Sequence, residues 1–188
     1  MAQTAPQFDG AKILLGVSGG IAAYKAADLA SKLTAAGAVV RTIMTESARE
    51  LIGPATFKAV TGQPVYTSLW QGAEDFKIGH IQTANWANAV IVAPATANII
   101  GKVANGICDN LLSTTLCACW NKPVLLAPAM NNKMWTHPIV QRNISVLTDH
   151  LKFKMCGPES GRLACGTEGI GRMTEPADIL EALAKLLK

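Results

Sequence analysis

Residues 12–44 read KILLGVSGGIAAYKAADLASKLTAAGAVVRTIM. The apolar run Lys12–Val17 is followed at once by a serine and two glycines, and a stretch rich in Ala, Leu and Lys then extends to residue 36. Gly37 is a typical helix stop, and a second apolar, β-branched run covers residues 38–44. The order strand, glycine turn, helix, strand predicts a βαβ unit, and therefore a parallel α/β sheet.

The remainder of the chain repeats this alternation. Further strands are predicted at residues 88–93, 123–127 and 152–156, where short apolar runs stand between turn residues. Helices are predicted over residues 48–52, 54–62, 99–104, 110–120, 139–150 and 177–187. We therefore expect a flavodoxin-like or Rossmann-like three-layer α/β sandwich with a mainly parallel sheet. This domain is expected to cover residues 11–188, after a flexible tail over residues 1–10.

The composition narrows the classes of function. With 188 residues, 49% apolar and 16% charged, the chain is typical of one globular domain with apolar surface to spare for an oligomer. A net charge of +4 without a Lys/Arg run argues against a nucleic-acid partner. The lack of any apolar run near ~20 residues argues against a membrane partner, and residues 1–10 do not read as a signal peptide.

Cysteine usage indicates the compartment and the absence of a metal. The five cysteines are odd in number and irregularly spaced, which favours a reduced, cytoplasmic protein. Cys117-Ala118-Cys119 could suggest metal binding, but no second Cys/His pair stands nearby with the spacing of a zinc site. No metal is therefore expected.

The first helix is preceded by Ser18-Gly19-Gly20-Ile21-Ala22, at the end of the first strand. Glycines there let backbone N–H groups approach a phosphate, which a helix N-terminus also favours. The loop lacks the G-x-G-x-x-G pattern, and glycine in a tight turn can serve geometry alone, so both interpretations stay open. Thr45 and Ser47 end the second strand at the same edge of the sheet, where they could contact a ligand or cap the next helix.

The apolar run at residues 123–127 leads into Pro128-Ala129-Met130-Asn131-Asn132-Lys133-Met134-Trp135. An amide pair bracketed by Met and Trp is a poor core pattern, but it suits a pocket wall that holds a flat ligand and hydrogen-bonds a carboxylate or carbonyl. The alternative is a helix start with Asn131 as the N-cap. Pro94-Ala95-Thr96-Ala97-Asn98 poses the same choice, because a hydroxyl and an amide at a helix N-terminus can cap the helix or meet a ligand.

Two further positions carry candidate chemistry. His80 lies in Ile78-Gly79-His80-Ile81; a lone histidine is more often structural, but a reference pKa of about 6.5 suits proton abstraction at neutral pH. Residues 157–171 hold five glycines and one proline, which is typical of a mobile flap rather than of a core segment. Cys165 lies in this flap, where little burial is available to make the thiol inert.

Three motifs in this order resemble those of the flavin-dependent cysteine decarboxylases. The octapeptide at residues 128–135 fits their P-x-M-N-x-x-M-W signature, and residues 94–98 resemble their P-A-S-A-N flavin motif with Thr in place of Ser. Residues 163–173, LACGTEGIGRM, resemble their flexible substrate clamp, which implies a mobile clamp around residues 157–173. The chain is most similar to the branch that acts on phosphopantothenoylcysteine in coenzyme A biosynthesis, either free-standing or fused to a phosphopantothenate–cysteine ligase.

The resemblance implies FMN as the cofactor and the conversion of 4'-phosphopantothenoylcysteine to 4'-phosphopantetheine by thiol oxidation, CO2 loss and re-reduction of an enethiolate. His80 is then the base, Asn131 holds the substrate carboxylate, and Cys165 gives the final proton. The residues implied to hold FMN are Gly19, Gly20, Ile21, Thr45, Ser47, Thr96, Ala97, Asn98 and Ala129. The residues implied to hold the substrate are Asn131, Met134, Arg162, Leu163 and Ala164.

The same resemblance implies an assembly of trimers or multiples of trimers, including a dodecamer, in which FMN lies between subunits. The turn at Asn105-Gly106 would then lie close to the active site of a neighbouring subunit. Alternatives are a decarboxylase of peptidyl cysteine, a flavin prenyltransferase, and a regulatory subunit that binds FMN without turnover. The intact octapeptide and Cys165 argue against the prenyltransferase. Thr167 stands where many members of the family carry Asp, and this departure bears on how the clamp closes.

Overall fold

A computed structural model describes residues 7–70 and 79–188. Its main sheet has six parallel strands in the order β3-β2-β1-β4-β5-β6. These strands are β1 (Lys12–Val17), β2 (Val39–Met44), β3 (Val65–Tyr66), β4 (Ala89–Ala95), β5 (Val124–Pro128) and β6 (Lys154–Met155). A separate antiparallel hairpin consists of β7 (Glu159–Arg162) and β8 (Glu168–Arg172).

Helices connect the strands and cover both faces of the sheet. They are α1 (Ala23–Ala35), α2 (Glu46–Arg49), α3 (Pro54–Thr61), α4 (His80–Trp86), α5 (Ala97–Ala104), α6 (Leu111–Ala118), α7 (Asn132–Trp135), α8 (Pro138–Ser145) and α9 (Pro176–Leu186). A π-helical turn, Val146–His150, continues α8. Within the described part of the chain, no helix is both long and apolar enough to cross a membrane.

The hydrophobic core lies in two layers, one on each face of the sheet. Ile13 and Leu15 of β1 pack into the layer that contains α1 and α9, whereas Leu14 packs into the layer that contains α5 and α6. They enter different layers because alternate residues of a strand point to opposite faces of the sheet. All three side chains are fully buried. Burying one such side chain contributes about 1.5–3 kcal/mol, so covering both faces stabilises the three-layer sandwich. The predicted fold class is confirmed.

The strand order reverses between β1 and β4, and this reversal places the site. β1 pairs with β2 on one side and with β4 on the other. The loops that leave the carboxyl ends of β1 and β4 therefore run in opposite directions and leave a crevice between them, where open parallel sheets bind ligands.

Two details depart from the sequence-based expectations. The tail predicted for residues 1–10 is wrong for residues 7–10, because Phe8 is 4% exposed and its N–H donates to the carbonyl of Ala36 at 2.9 Å. Burial of the aromatic ring contributes about 1.5–3 kcal/mol, which offsets part of the chain entropy lost on ordering this short segment. Residues 1–6 lie outside the described residues. Strand β3 and the hairpin strands were not predicted, whereas the five predicted strands correspond to β1, β2, β4, β5 and β6.

Candidate active site

Ser18 joins the two loops of the crevice. Its side chain is 1% exposed and donates to the carbonyl of Pro94 at 2.7 Å. The same oxygen lies 3.0 Å from the hydroxyl of Thr96 and accepts from the Thr96 N–H at 3.1 Å. The end of β1 is thereby fixed to the end of β4. Sequence reasoning assigned no role to Ser18, although a hydroxyl directly before a glycine pair was a usable signal.

The glycine loop leaves no room for a side chain at Gly19. A Cβ there would clash with the Cβ of Ser47, so the loops after β1 and β2 approach each other only because the residue is glycine. Helix α1 begins just beyond, its N-cap Ala22 makes no side-chain cap hydrogen bond, and no acidic residue stands in its first turn. A tight glycine loop and an uncompensated helix N-terminus fit the phosphate of a mononucleotide.

The hydroxyl residues at this edge of the sheet also cap helices. Thr45 is the N-cap of α2 and accepts from the Ala48 N–H at 3.3 Å. Thr96 is the N-cap of α5 and accepts from the Ile99 N–H at 3.5 Å. The Thr45 hydroxyl keeps its own proton for donation, so capping and ligand binding are compatible at that residue. The Thr96 hydroxyl lies 3.0 Å from the Ser18 oxygen, whose own proton goes to Pro94, so its proton serves that contact.

Asn131 is both a helix cap and a wall of the cleft. Its Oδ1 accepts from the Lys133 N–H at 2.9 Å, as expected for the N-cap of α7. Its Nδ2 donates to the sulfur of Cys165 at 3.1 Å. The N-cap interpretation of the octapeptide is therefore confirmed, while the other end of the same amide faces the cleft and contacts Cys165.

The hairpin is held against the octapeptide by a backbone contact. The N–H of Met130 donates to the carbonyl of Gly171 at 3.0 Å. Gly171 has a φ of +149°, and a Cβ there would run into the carbonyl oxygen of Met130. Glycine is thus required where β8 crosses the start of α7.

Cys165 lies at the tip of the hairpin with its thiol exposed. The thiol lies 3.0 Å from the hydroxyl of Thr167 and 3.1 Å from the Asn131 amide. Hydrogen bonds from the Thr167 hydroxyl, then from its main-chain N–H, and from Asn131 hold the pKa of the Cys165 thiol below its ordinary value. Such a thiol releases its proton more readily than an ordinary cysteine does.

Paired charges stand at the rim of the cleft. Lys25 of α1 contacts Glu175 at 2.6 Å and also donates to the carbonyl of Met173 at 3.3 Å, which ties α1 to the segment after the hairpin. Lys102 contacts Asp109 at 2.8 Å, and this hydrogen bond lowers the pKa of the aspartate. No local sequence signal could have found the Lys25–Glu175 pair, because its members are 150 residues apart.

These elements surround an open cleft of about 1370 Å³. The sequence-selected residues that line it are Gly19, Gly20, Ile21, Thr45, Ser47, Thr96, Ala97, Asn98, Ala129, Asn131, Met134, Arg162, Leu163, Ala164 and Cys165. Lining residues to which sequence reasoning gave no role include Ser18 and Lys25. Among the described residues, no group of three or more His, Cys, Asp or Glu side chains could hold a metal ion.

His80 is the sequence-selected residue that the structure does not bring to this cleft. It is half-buried and is the first residue of α4, outside the described residues that line the cleft. Asn131 and Cys165 therefore meet within one chain, and His80 does not join them there.

The match to known proteins fits this geometry. The family model described as Flavoprotein matches residues 2–188. The chain belongs to the Flavoprotein family. This flavoprotein is 51% identical over 173 residues to the coenzyme A biosynthesis bifunctional protein CoaBC of Bacillus subtilis, a match that covers 92% of this chain and 42% of the relative. The CoaBC protein of Escherichia coli K12 is 45% identical over 172 residues, with the same coverage of 92% and 42%. The chain thus spans about two-fifths of the length of these curated relatives.

Solved structures of similar proteins share the fold over nearly the whole chain. A PPC decarboxylase mutant complexed with pantothenoylaminoethenethiol has a TM-score of 0.80 and 34% identity, covering 93% of this flavoprotein and 96% of that chain. The FMN-binding protein AtHal3 has a TM-score of 0.78 and 34% identity, covering 92% and 94%. The FMN-dependent cysteine decarboxylase SpaF has a TM-score of 0.76 and 32% identity, covering 94% and 95%.

Proposed function

We propose that this chain binds FMN and decarboxylates 4'-phosphopantothenoylcysteine to 4'-phosphopantetheine, a step of coenzyme A biosynthesis. The observation that carries the proposal is the 3.1 Å contact between the Asn131 amide and the Cys165 thiol, inside a cleft that also holds the glycine loop. The names of the relatives support the pathway, and the PPC decarboxylase neighbour supports the substrate.

The chemistry requires an acceptor for electrons. Loss of CO2 next to an ordinary thiol-bearing carbon would leave an unstabilised carbanion, whereas oxidation of the thiol to a thioaldehyde provides a C=S that accepts those electrons. FMN, when bound, supplies this oxidation and the later reduction. The Asn131 amide has two N–H groups, and since one donates to Cys165, the second is free to hold the substrate carboxylate.

The remaining residues have positioning roles in this proposal. The glycine loop and the N-terminus of α1 would hold the phosphate of FMN, and the hydroxyls of Thr45, Ser47 and Thr96 would contact the rest of the cofactor. Met134 and Leu163 supply apolar walls, and Arg162 and Ala164 line the same cleft as Cys165. The hairpin is the clamp, and its closure would exclude water from the reacting carbon.

The proposed assembly is a homotrimer, or a multiple of trimers. Its support is the position of His80 outside the cleft of its own chain, which leaves the base to be supplied by a neighbouring copy. Ile81, next to His80, is 52% exposed, and Ile107, next to the Asn105-Gly106 turn, is 47% exposed. Apolar side chains of this exposure suit a subunit contact.

Two further parts of the proposal concern context. The relatives are named bifunctional, which supports a phosphopantothenate–cysteine ligase domain as a fused partner. A reducing, cytoplasmic location is supported by the five cysteines, all of which are free thiols.

The test is an assay of the purified protein loaded with FMN. Phosphopantothenoylcysteine should release CO2 and give phosphopantetheine by mass spectrometry, and a peptide that ends in cysteine should not react. Release of CO2 from the peptide alone would indicate a peptidyl-cysteine decarboxylase instead. Bound FMN without CO2 from either substrate would indicate a regulatory subunit and overturn the proposal.

A further inference from the structure

The turn at the tip of the hairpin is built to bring Thr167 back toward Cys165. The N–H of Leu163 donates to the carbonyl of Thr167 at 2.8 Å, and the N–H of Gly166 donates to the carbonyl of Leu163 at 2.9 Å. Gly166 has a φ of +84°, which turns the chain between the two side chains. Leu163 is 8% exposed and anchors the turn. These hydrogen bonds therefore hold both ends of the five-residue turn 163–167, which contains Cys165.

The sulfur of Cys165 has neighbours on two elements. The hydroxyl of Thr167, on the same turn, lies 3.0 Å away, and the amide of Asn131, at the N-cap of α7, lies 3.1 Å away. Thr167 does not line the cleft, whereas Cys165 and Asn131 do. The Thr167 hydroxyl therefore contacts the sulfur without itself being part of the cleft wall.

We propose that Thr167 is a positioning residue that holds the Cys165 sulfur against Asn131 and favours its deprotonated form. The contacts of the turn lie within the chain and do not depend on which substrate binds. The catalytic consequence rests on the proposed function, in which Cys165 donates the final proton. Because Thr167 is not among the described residues that line the cleft, the proposal assigns it no contact with substrate or cofactor.

The chemical role follows from the direction of the hydrogen bonds. When Cys165 acts as an acid, its S–H bond breaks, the proton goes to the substrate carbon, and the electron pair stays on sulfur as a thiolate. Water then returns a proton to the sulfur. Hydrogen-bond donors that face the sulfur stabilise the thiolate. Those from the Thr167 hydroxyl and main-chain N–H make the two largest contributions to the lowered pKa of the Cys165 thiol. Removing the hydroxyl should therefore make Cys165 a weaker acid.

Alkylation by iodoacetamide tests this without substrate. Trypsin cleavage after Arg162 and Arg172 yields the peptide 163–172, which contains Cys165 as its single cysteine, so mass spectrometry can follow this thiol alone. Because only the thiolate reacts, the rate against pH reports its deprotonation. Thr167→Val keeps the shape and removes the hydroxyl, and alkylation at pH 7 should slow by about fivefold, with the profile moved to higher pH. Thr167→Ser keeps the hydroxyl and should match the wild type.

The controls separate this inference from a general disturbance and from the proposed function. Cys156, the single cysteine of the tryptic peptide 155–162, should react at the same rate in all three proteins. An unchanged profile in Thr167→Val, or an equal shift in Thr167→Ser, would overturn the role of the hydroxyl. A Cys165→Ser enzyme that made phosphopantetheine normally would refute Cys165 as the donor while leaving the alkylation result intact.

Discussion

At the scale of single residues, the cysteines of this chain differ in what surrounds each sulfur. Burial raises the pKa of Cys119 to about 11, since the thiolate would lose its hydration there. Cys165 is exposed, and the donors from Thr167 and Asn131 lower its thiol pKa instead. A thiol that must give up a proton near neutral pH needs the second environment, which is why Cys165 suits the role of acid.

Replacing Cys165 by Ser should separate the two halves of the reaction. Asn131 and the cofactor-holding residues are untouched, so CO2 should still be released, to about one per active site in a single turnover. A serine hydroxyl is a much weaker acid than a thiol, so an oxidised enethiol should accumulate in place of phosphopantetheine. Mass spectrometry of the product distinguishes them. Cys117→Ser, which alters an exposed thiol on α6, should turn over normally. Absence of CO2 from Cys165→Ser would show that the thiol acts earlier.

The two ends of the Asn131 amide can be separated by substitution. Asp keeps an acceptor for the Lys133 N–H, so Asn131→Asp should change the free energy of unfolding by less than about 0.5 kcal/mol, whereas Asn131→Ala should lower it by about 1 kcal/mol. Both variants lack the Nδ2 donor to Cys165 and to the substrate carboxylate, so both should lose decarboxylation. Urea unfolding and CO2 release measure the two effects. Full activity in Asn131→Asp would show that only the cap matters.

At the scale of elements, the crevice depends on the connection between the ends of β1 and β4. In Ser18→Ala, the buried carbonyl of Pro94 loses its donor and the Thr96 N–H loses its acceptor. Each loss costs about 1–3 kcal/mol, and since two groups lose their partners, we expect the free energy of unfolding to fall by about 2–6 kcal/mol. Because the loops separate, FMN should also bind about tenfold more weakly, which flavin titration would measure. Ser31→Ala, on the exposed side of α1, is the matched control and should change neither value.

Strands that are buried have a pattern of apolar residues, and the sequence predicts them well. Strands that are defined only by pairing with a neighbouring strand have no such pattern, and the sequence predicts them less well. β1 and β5 are long apolar runs between turn residues, and both were predicted. β3 has two residues, too few for a periodic signal, and within residues 7–70 and 79–188 it pairs with β2 alone. In the hairpin, the strands are rich in glycine and have no alternating apolar face, so cross-strand register rather than burial defines them.

The hairpin should be detached by a single methyl group at Gly171. Ala is strained at a φ of +149°, and its Cβ would displace the Met130 carbonyl, so the Met130 N–H to Gly171 contact should break. We expect trypsin to cleave native Gly171→Ala after Arg162 and Arg172 several times faster than wild type, because proteolysis follows local opening. Gly53→Ala adds the same methyl group where no atom lies within 4 Å, and it should leave the cleavage rate unchanged. Equal cleavage of both variants would show that this contact does not hold the hairpin.

At the scale of the whole molecule, the cleft of one chain is lined by Asn131 and Cys165 but, among the described residues, not by His80. Asn131 and Cys165 meet because two loops of one chain converge, and the family resemblance of their motifs had selected both residues. The position of His80 relative to these residues could not be derived in the same way, because in the proposed assembly it would depend on how copies of the chain pack, and no periodicity within one sequence encodes that. Light scattering of the FMN-loaded protein should accordingly show trimers or multiples of trimers; a fully active monomer would refute this.

A complementation experiment tests whether His80 acts across subunits. His80→Asn and Asn131→Asp should each be inactive alone, the first for want of a base and the second for want of the Nδ2 donor. In co-expressed mixed oligomers, a site that takes His80 from one chain and Asn131 from another can combine two wild-type residues. Random mixing gives about one quarter of the sites this composition, so about one quarter of wild-type CO2 release should return. If both residues acted within one chain, every site would carry a defect and no activity would return. The inactive control is a mixture of the two separately purified variants, assayed before subunits can exchange between oligomers.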